Sequence, residues 1–233
     1  MTTKTDRICG IIVAAGSGWR MGGVCKPLIK LGKKTLFEYV LEAFEGSRVS
    51  DITVVCSEDN RSALESLCEG KTSKPVLFTY GGNSRAESVF LGIKACGKCD
   101  LVCVHDCARP FVTAEIIDSV IDGAAETGAS TACCPVTDTI KFVDDEHHTV
   151  YTPERRHLLS IQTPQCFKYG LYLPAYLLAA SQKKKFTDET ALLENAGTKV
   201  NYVKCDPNNI KLTTKSDLLT ARAIRLIKEQ DKK

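Results

Sequence analysis

The chain has 233 residues, 43% hydrophobic and 25% charged, which suits one α/β domain with at most a modest appendage. A net charge of +3 is far from the strongly basic balance of a dedicated nucleic-acid binder, and no run approaches the roughly 18 apolar residues of a membrane span. The short apolar stretch near the N-terminus runs into glycines and Arg20 and lacks a signal-peptide shape, so a cytoplasmic protein with neither membrane nor nucleic-acid partner is expected.

Strand-like and helix-like segments then alternate. Ile8 to Ala14 is a continuous apolar run closed by a glycine-rich turn, and Leu36, Tyr39, Val40, Ala43 and Phe44 share one helical face that stops at Gly46. "DITVVCS", "PVLFTYGG" and "DLVCVHD" read as buried strands, separated by the helices "NRSALESLCEG" and "SRAESVFLGIKACG". A further helix opens at Thr113 with Glu115 in its first turn. Continuous apolar strands alternating with helices predict a doubly wound, mostly parallel sheet covered on both faces. In such sheets ligands bind beyond the carboxyl ends of the strands, which here carry "AAGSGWRM", "SEDN", "GGNSRAES" and "HDCARP".

The rhythm breaks over residues 135–160. Thr139 to Val143 and Thr149 to Thr152 are β-rich and flank the polar "DDEHH", so a β-hairpin arm over about 136–159 is expected to protrude from a single domain spanning 1–233. His147 and His148 at its tip, and the lysine runs at 183–185 and 232–233, read as solvated surface. The 12 cysteines include Cys96, Cys99, Cys103 and Cys107, but a single C-x-x-C without a second does not complete a tetrahedral site. Several lie in strand-like runs, where cysteine acts as a small hydrophobe, so free thiols and no protein-held metal are expected.

Gly16 and Gly18 after the first strand let backbone approach a ligand, and successive amides in such a turn suit phosphate oxygens. Arg20 and Lys26 add a planar fork and a point charge, a pairing fit for a triphosphate. No G-K-[ST] follows, which excludes a Walker A loop. A dinucleotide fingerprint wants an acidic residue about 20 positions on, whereas the next strand ends only at Ser57 to Asp59. Gly81 and Gly82 permit close approach of a flat base, with Ser88 offering a hydroxyl to its edge or, equally, Ser84 simply capping a helix. Asp106 ends a buried strand and should face the crevice, where it would hold a metal or a sugar hydroxyl; Arg109 would bind an anion or pair with Asp106 structurally. "DETALLE" and "NNIKLTT" complete the candidates. In the latter Lys211 lies between apolar neighbours in a strand-like run and points to the opposite face, either the crevice or open solvent.

Taken in order, "AAGSGWRM", "GGNSRAESV", "HDCARPFV", "VTDTIK", "QTPQCF", "TDETALLE" and "NNIKLTT" resemble the 2-C-methyl-D-erythritol 4-phosphate cytidylyltransferases across essentially the whole chain. The resemblance implies a Rossmann-like core of the nucleotide-diphospho-sugar transferase type, transfer of CMP from CTP to a small polyol phosphate, and Mg²⁺ carried on the CTP phosphates. It also implies a homodimer whose arms complete each other's sites. It places the nucleotide on Ala14, Ala15, Gly16, Gly18, Arg20, Lys26 and Asp106, with Gly82 and Ser88 near the cytosine. The acceptor would meet Asp106, Arg109 and Thr163, and its phosphate Lys211 with Thr139 and Arg155, or the adjacent Arg156, from the partner's arm. Arg20, Lys26 and Lys211 would carry the catalysis. Two positions depart from the family pattern: Trp19, and Cys25-Lys26-Pro27 in place of Pro-Lys-Gln. A ribitol 5-phosphate cytidylyltransferase is the near alternative, although those relatives read "AGG" and "DSVRP" where this chain has "AAG" and "DCARP". A nicotinamide-dependent oxidoreductase is the alternative from another class, and it lacks its acidic ribose residue here. A non-catalytic protein fits least, because the charged residues gather at strand ends.

Overall fold

The computed structural model describes residues 6–16 and 24–230. In chain order these form β1 (Ile8–Val13), β2 (Lys30–Leu31), β3 (Lys34–Thr35), α1 (Leu36–Glu45), β4 (Asp51–Cys56), α2 (Glu58–Cys68) and β5 (Val76–Tyr80). There follow α3 (Arg85–Cys96), β6 (Leu101–Asp106), α4 (Ala114–Thr127), β7 (Ala129–Pro135), β8 (Phe142–Val143) and β9 (Thr149–Tyr151). The chain closes with β10 (Leu159–Lys168), α5 (Tyr169–Ser181), α6 (Glu189–Asn195), β11 (Val200–Lys204) and α7 (Lys215–Gln230).

The helices start where their first-turn amides find a side chain. Thr35 Oγ1 accepts from the Glu38 amide while Glu38 accepts from the Thr35 amide, a capping box that opens α1. Ser84, Thr113 and Asp188 cap α3, α4 and α6, each side chain accepting from a first-turn amide.

Seven strands make one sheet in the order β11-β7-β10-β6-β1-β4-β5. β5, β4, β1 and β6 run parallel, as do β11 and β7, while β10 lies antiparallel between β6 and β7. The strict alternation of strand side chains divides the core between two faces. Ile8 and Ile12 of β1 pack with Phe37, Phe44, Val120 and Ile121 of α1 and α4. Cys9 and Ile11 pack with Val89, Tyr172 and Leu193 of α3, α5 and α6. Burial of both faces is what the unbroken apolar runs encoded. All twelve cysteines are free thiols, most of them buried in these two layers.

Three sequence expectations change. The flanks of the arm are themselves strands, β7 and β10, and β10 is the long antiparallel member at the centre of the sheet. Pro164 in a run of ten residues argues against a central strand; a bulge between Ile161 and Gln165 accommodates it. Leu159 pairs with Pro135, so the arm leaves the sheet between them, close to the expected 136–159. Its paired strands are only β8 and β9, shorter than the runs 139–143 and 149–152. Residues 210–212 form no strand, yet Leu212 is buried beside α7 and its amide donates to the Ala108 carbonyl. That contact turns Lys211 to the opposite side, as expected.

Candidate active site

The chain passes from β1 outward to β4 and β5, then returns to place β6 on the other side of β1. Their carboxyl ends diverge into a crevice, the usual ligand position in an open α/β sheet. A cleft of about 390 Å³ opens there, and Ala14, Ala15, Gly16, Lys26, Gly82, Ser88, Asp106 and Lys211 all line it. Eight residues singled out from the sequence therefore meet in one place. Gly18 and Arg20 lie outside the described residues.

The wall after β1 is held by backbone bonds. The Ala14 amide donates to Val55, its carbonyl accepts from the Asn60 side chain, and the Cys107 amide donates to Val13. Gly16 leaves open space: a Cβ there would meet nothing within 4 Å. Gly81 does the reverse, since its Cβ would stand 2.5 Å from the Ala15 Cβ and 2.7 Å from Ser88 Oγ. Gly81 thus lets the turn after β5 press against the turn after β1. Of the neighbouring serines, Ser84 caps α3 and Ser88 Oγ accepts from the Gly82 amide at 3.1 Å. The buried Ser88 keeps its hydroxyl hydrogen.

Asp106, the last residue of β6, is only 6% exposed. Its Oδ1 accepts from Arg85 Nε at 2.9 Å and its Oδ2 from Lys211 Nζ at 2.5 Å. Burial alone would raise this carboxyl; the Arg85 and Lys211 charges outweigh it and hold Asp106 well below the usual carboxylate range. The structural Asp106–Arg109 pair weighed from sequence is not formed. Arg109 instead donates Nη1 to the Asn209 carbonyl at 2.8 Å, and its buried Nε has no hydrogen-bond partner.

Thr163 stands behind Asp106 and does not line the cleft. Its Oγ1 accepts from the Asp106 amide and meets His105 Nδ1, each at 3.1 Å. His105 Nε2 lies 3.0 Å from the Arg109 carbonyl, which only accepts. Nε2 therefore carries the imidazole proton, Nδ1 accepts, and the Thr163 hydroxyl donates to it. Burial pushes His105 down to about 4, so this internal pillar stays neutral. Thr139, Arg155 and Arg156 lie exposed on the arm side, where Arg155 Nη1 donates to the Thr137 carbonyl.

Two site residues were not singled out from the sequence, although their motifs were. Arg85 Nη1 and Nη2 grip both oxygens of Glu189 at 2.9 and 3.0 Å, while Nε of the same guanidinium holds Asp106. A signal existed: Arg85 is the first residue of α3, where the helix dipole disfavours a cation. A cation at that position needs carboxylates nearby.

Among the described residues the lining thus offers backbone amides, three cations and one carboxylate. Its single thiol, Cys107, is pushed far above the ordinary thiol range by burial and is no activated nucleophile. Among the described residues no group of three His, Cys, Asp or Glu side chains is placed to hold a metal. A lining of this chemistry suits a polyanion and charge developing on phosphate.

Comparison with known proteins gives the same direction. Residues 8–226 match the 2-C-methyl-D-erythritol 4-phosphate cytidylyltransferase family. The enzyme of that name from Clostridioides difficile (strain 630) is 39% identical, covering 95% of this chain and 94% of its own. Its counterpart from Clostridium botulinum is 37% identical over 92% and 95%. The crystal structure of 4-diphosphocytidyl-2C-methyl-D-erythritol synthase from Anaerococcus prevotii superposes with a TM-score of 0.87 at 30% identity, covering 95% of this chain and 96% of that one.

Proposed function

The chain belongs to the 2-C-methyl-D-erythritol 4-phosphate cytidylyltransferase family, and from that premise we propose the part each cleft residue plays. The protein is a cytidylyltransferase of isoprenoid precursor biosynthesis: CMP passes from CTP to 2-C-methyl-D-erythritol 4-phosphate, and pyrophosphate leaves. Neither ribitol 5-phosphate nor nicotinamide chemistry is favoured beside it. The observation that carries the assignment of roles is Asp106, held between Arg85 and Lys211 and facing the glycine-walled turns and Lys26 across one cleft.

The Ala14–Gly16 amides, Lys26 and Arg20 take the CTP phosphates. Gly82 and the spare hydroxyl hydrogen of Ser88 meet the cytosine edge. Asp106 accepts an acceptor hydroxyl, with Arg109 beside it. The acceptor phosphate lies against Lys211, joined by Thr139 and Arg155 from a partner's arm. That phosphate is already anionic near neutral pH, its second pKa being about 6, so no general base is needed. Its oxygen attacks the α-phosphorus in line, the bond to the leaving pyrophosphate breaks, and no proton has to move. Lys26, Arg20 and Lys211 act by position and charge.

Mg²⁺ fits this lining as a passenger of the triphosphate. Among the described residues Asp106 is the only carboxylate lining the cleft, and its oxygens are held by Arg85 and Lys211, so the substrate phosphates would be the ion's main ligands, as is habitual for Mg²⁺. When bound, the ion supplies charge neutralisation on the departing pyrophosphate. The homodimer is supported by the arm itself, which exposes Phe142, Val143, Val150 and Tyr151 together; apolar patches of that kind mark interaction surfaces. No helix among the described residues is long and apolar enough to cross a membrane.

Pyrophosphate release with CTP and each acceptor in turn tests the reading. Release with methylerythritol phosphate that ceases on chelation supports it. Release only with ribitol 5-phosphate, or undiminished by chelation, contradicts the corresponding part.

A further inference from the structure

Glu189 is 3% exposed, yet it does not line the cleft. It faces a second cavity behind Arg85, lined by Tyr172, Tyr176 and Phe186. It therefore stands behind the cleft wall that Arg85 helps to form. What it touches is Arg85, through two parallel hydrogen bonds of 2.9 and 3.0 Å, the bidentate geometry that fixes a guanidinium plane as well as its position.

In the plane so fixed, Arg85 meets Asp106 through Nε alone. The other Asp106 oxygen is left to Lys211. The arrangement alternates sign from Glu189 through Arg85 and Asp106 to Lys211 and is neutral as a set.

Glu189 is itself anchored. Its amide and that of Thr190 both donate to the buried Gln165 Oε1 of β10, at 3.0 and 3.2 Å, and Asp188 caps the helix it begins. The chain of contacts runs from a central strand to the carboxylate and ammonium facing the reaction. Burial raises the Glu189 carboxyl and the Arg85 charge opposes that rise, so the pair depends on Arg85 staying where it is.

We propose that Glu189 is a positioning residue for CMP transfer: by gripping both terminal nitrogens of Arg85 it fixes the plane of that guanidinium so that only Nε meets Asp106, and so keeps Lys211 on the other carboxylate oxygen, aimed into the cleft. Without it the Arg85 fork turns onto Asp106, takes both oxygens, and releases Lys211 from its register. Misplacement of about 1 Å at a reacting centre costs about 10²-fold in rate. The inference rests on the transferase reading above.

The test is Glu189→Gln, which keeps the shape and removes the charge. The expected result is turnover lowered about 10²-fold, with the CTP dissociation constant, read by equilibrium titration, within about threefold of wild type. Loss of structure alone would weaken CTP binding along with turnover. In the double variant Arg85→Gln/Glu189→Gln the loss should be no greater than in Arg85→Gln alone, because both act through one group. If Glu189→Gln does not fold, Glu189→Asp carries the same comparison, since the shortened side chain keeps the charge and withdraws its oxygens from Arg85. Wild-type turnover in the folded variant, or losses that add in the double variant, overturns the proposal. Failure of the wild-type protein to release pyrophosphate would instead refute the transferase reading, so the two failures are distinct.

Discussion

His105 makes the core beneath the site acid-sensitive, by an amount that follows from its surroundings. The imidazole is fully buried, its Nε2–H spent on the Arg109 carbonyl and its Nδ1 on the Thr163 hydroxyl. Protonation would place a second hydrogen opposite Thr163, in a setting that already holds the group at about 4 against an ordinary 6.5. Above pH 6.5 both folded and unfolded chains carry a neutral ring and pH has no leverage through it. Between 6.5 and 4 the unfolded chain binds a proton that the folded chain refuses, so stability falls as pH falls. At about 1.4 kcal/mol for each pH unit, the full loss is about 3 kcal/mol, complete near pH 4. Carboxylates titrate in the same window, so the measurement is a comparison. Urea unfolding of wild type and His105→Gln, at fixed protein concentration and at steps from pH 7.5 to 4.5, isolates the ring. The variant is expected to start less stable and to lose less on acidification, the two curves converging by about 2–3 kcal/mol. Parallel curves would refute a buried neutral His105.

Lys26→Ala and Lys211→Ala should each lower turnover by about 10²–10³-fold, the usual loss for one preorganised charge donor, in steady-state pyrophosphate release. Gly81→Ala drives a methyl group into Ala15 and Ser88; overpacking of that kind costs about 1–3 kcal/mol, and CTP affinity measured by calorimetry should fall. Phe142→Ser/Tyr151→Ser removes the stacked pair, 5.1 Å between ring centroids, from the exposed arm. Sedimentation should then show a shift from dimer to monomer with parallel loss of activity, while the thermal transition of the sheet core is retained.

The parallel half of the fold was legible because each of its strands is buried on both faces and writes itself as an unbroken apolar run, as in Ile8 to Val13 and Leu101 to Asp106. The antiparallel strand was not, since its middle reads "QTPQ" and its buried polar groups, Gln162, Thr163 and Gln165, serve the site and its supports rather than the core. Lys211 was found without a strand to carry it. The buried Leu212 beside it turned the lysine the right way, for a different local reason. Arg85 and Glu189 illustrate what pattern cannot supply. Each opens a helix more than a hundred positions from the other, and only the packing of α3 and α6 on one face of the sheet brings the pair together. Thr163 was assigned to the acceptor, yet its hydroxyl hydrogen is committed inward to His105; hydrogen-bond direction is a property of neighbours that sequence does not specify.

The most direct test of phosphate attack in this cleft uses methylerythritol phosphate whose phosphate carries heavy oxygen, turned over with unlabelled CTP and resolved by mass spectrometry. Attack by the acceptor's phosphate oxygen on the α-phosphorus predicts that all label stays in the diphosphocytidyl product and none enters pyrophosphate. Label in the released pyrophosphate, or its loss to water, would contradict it.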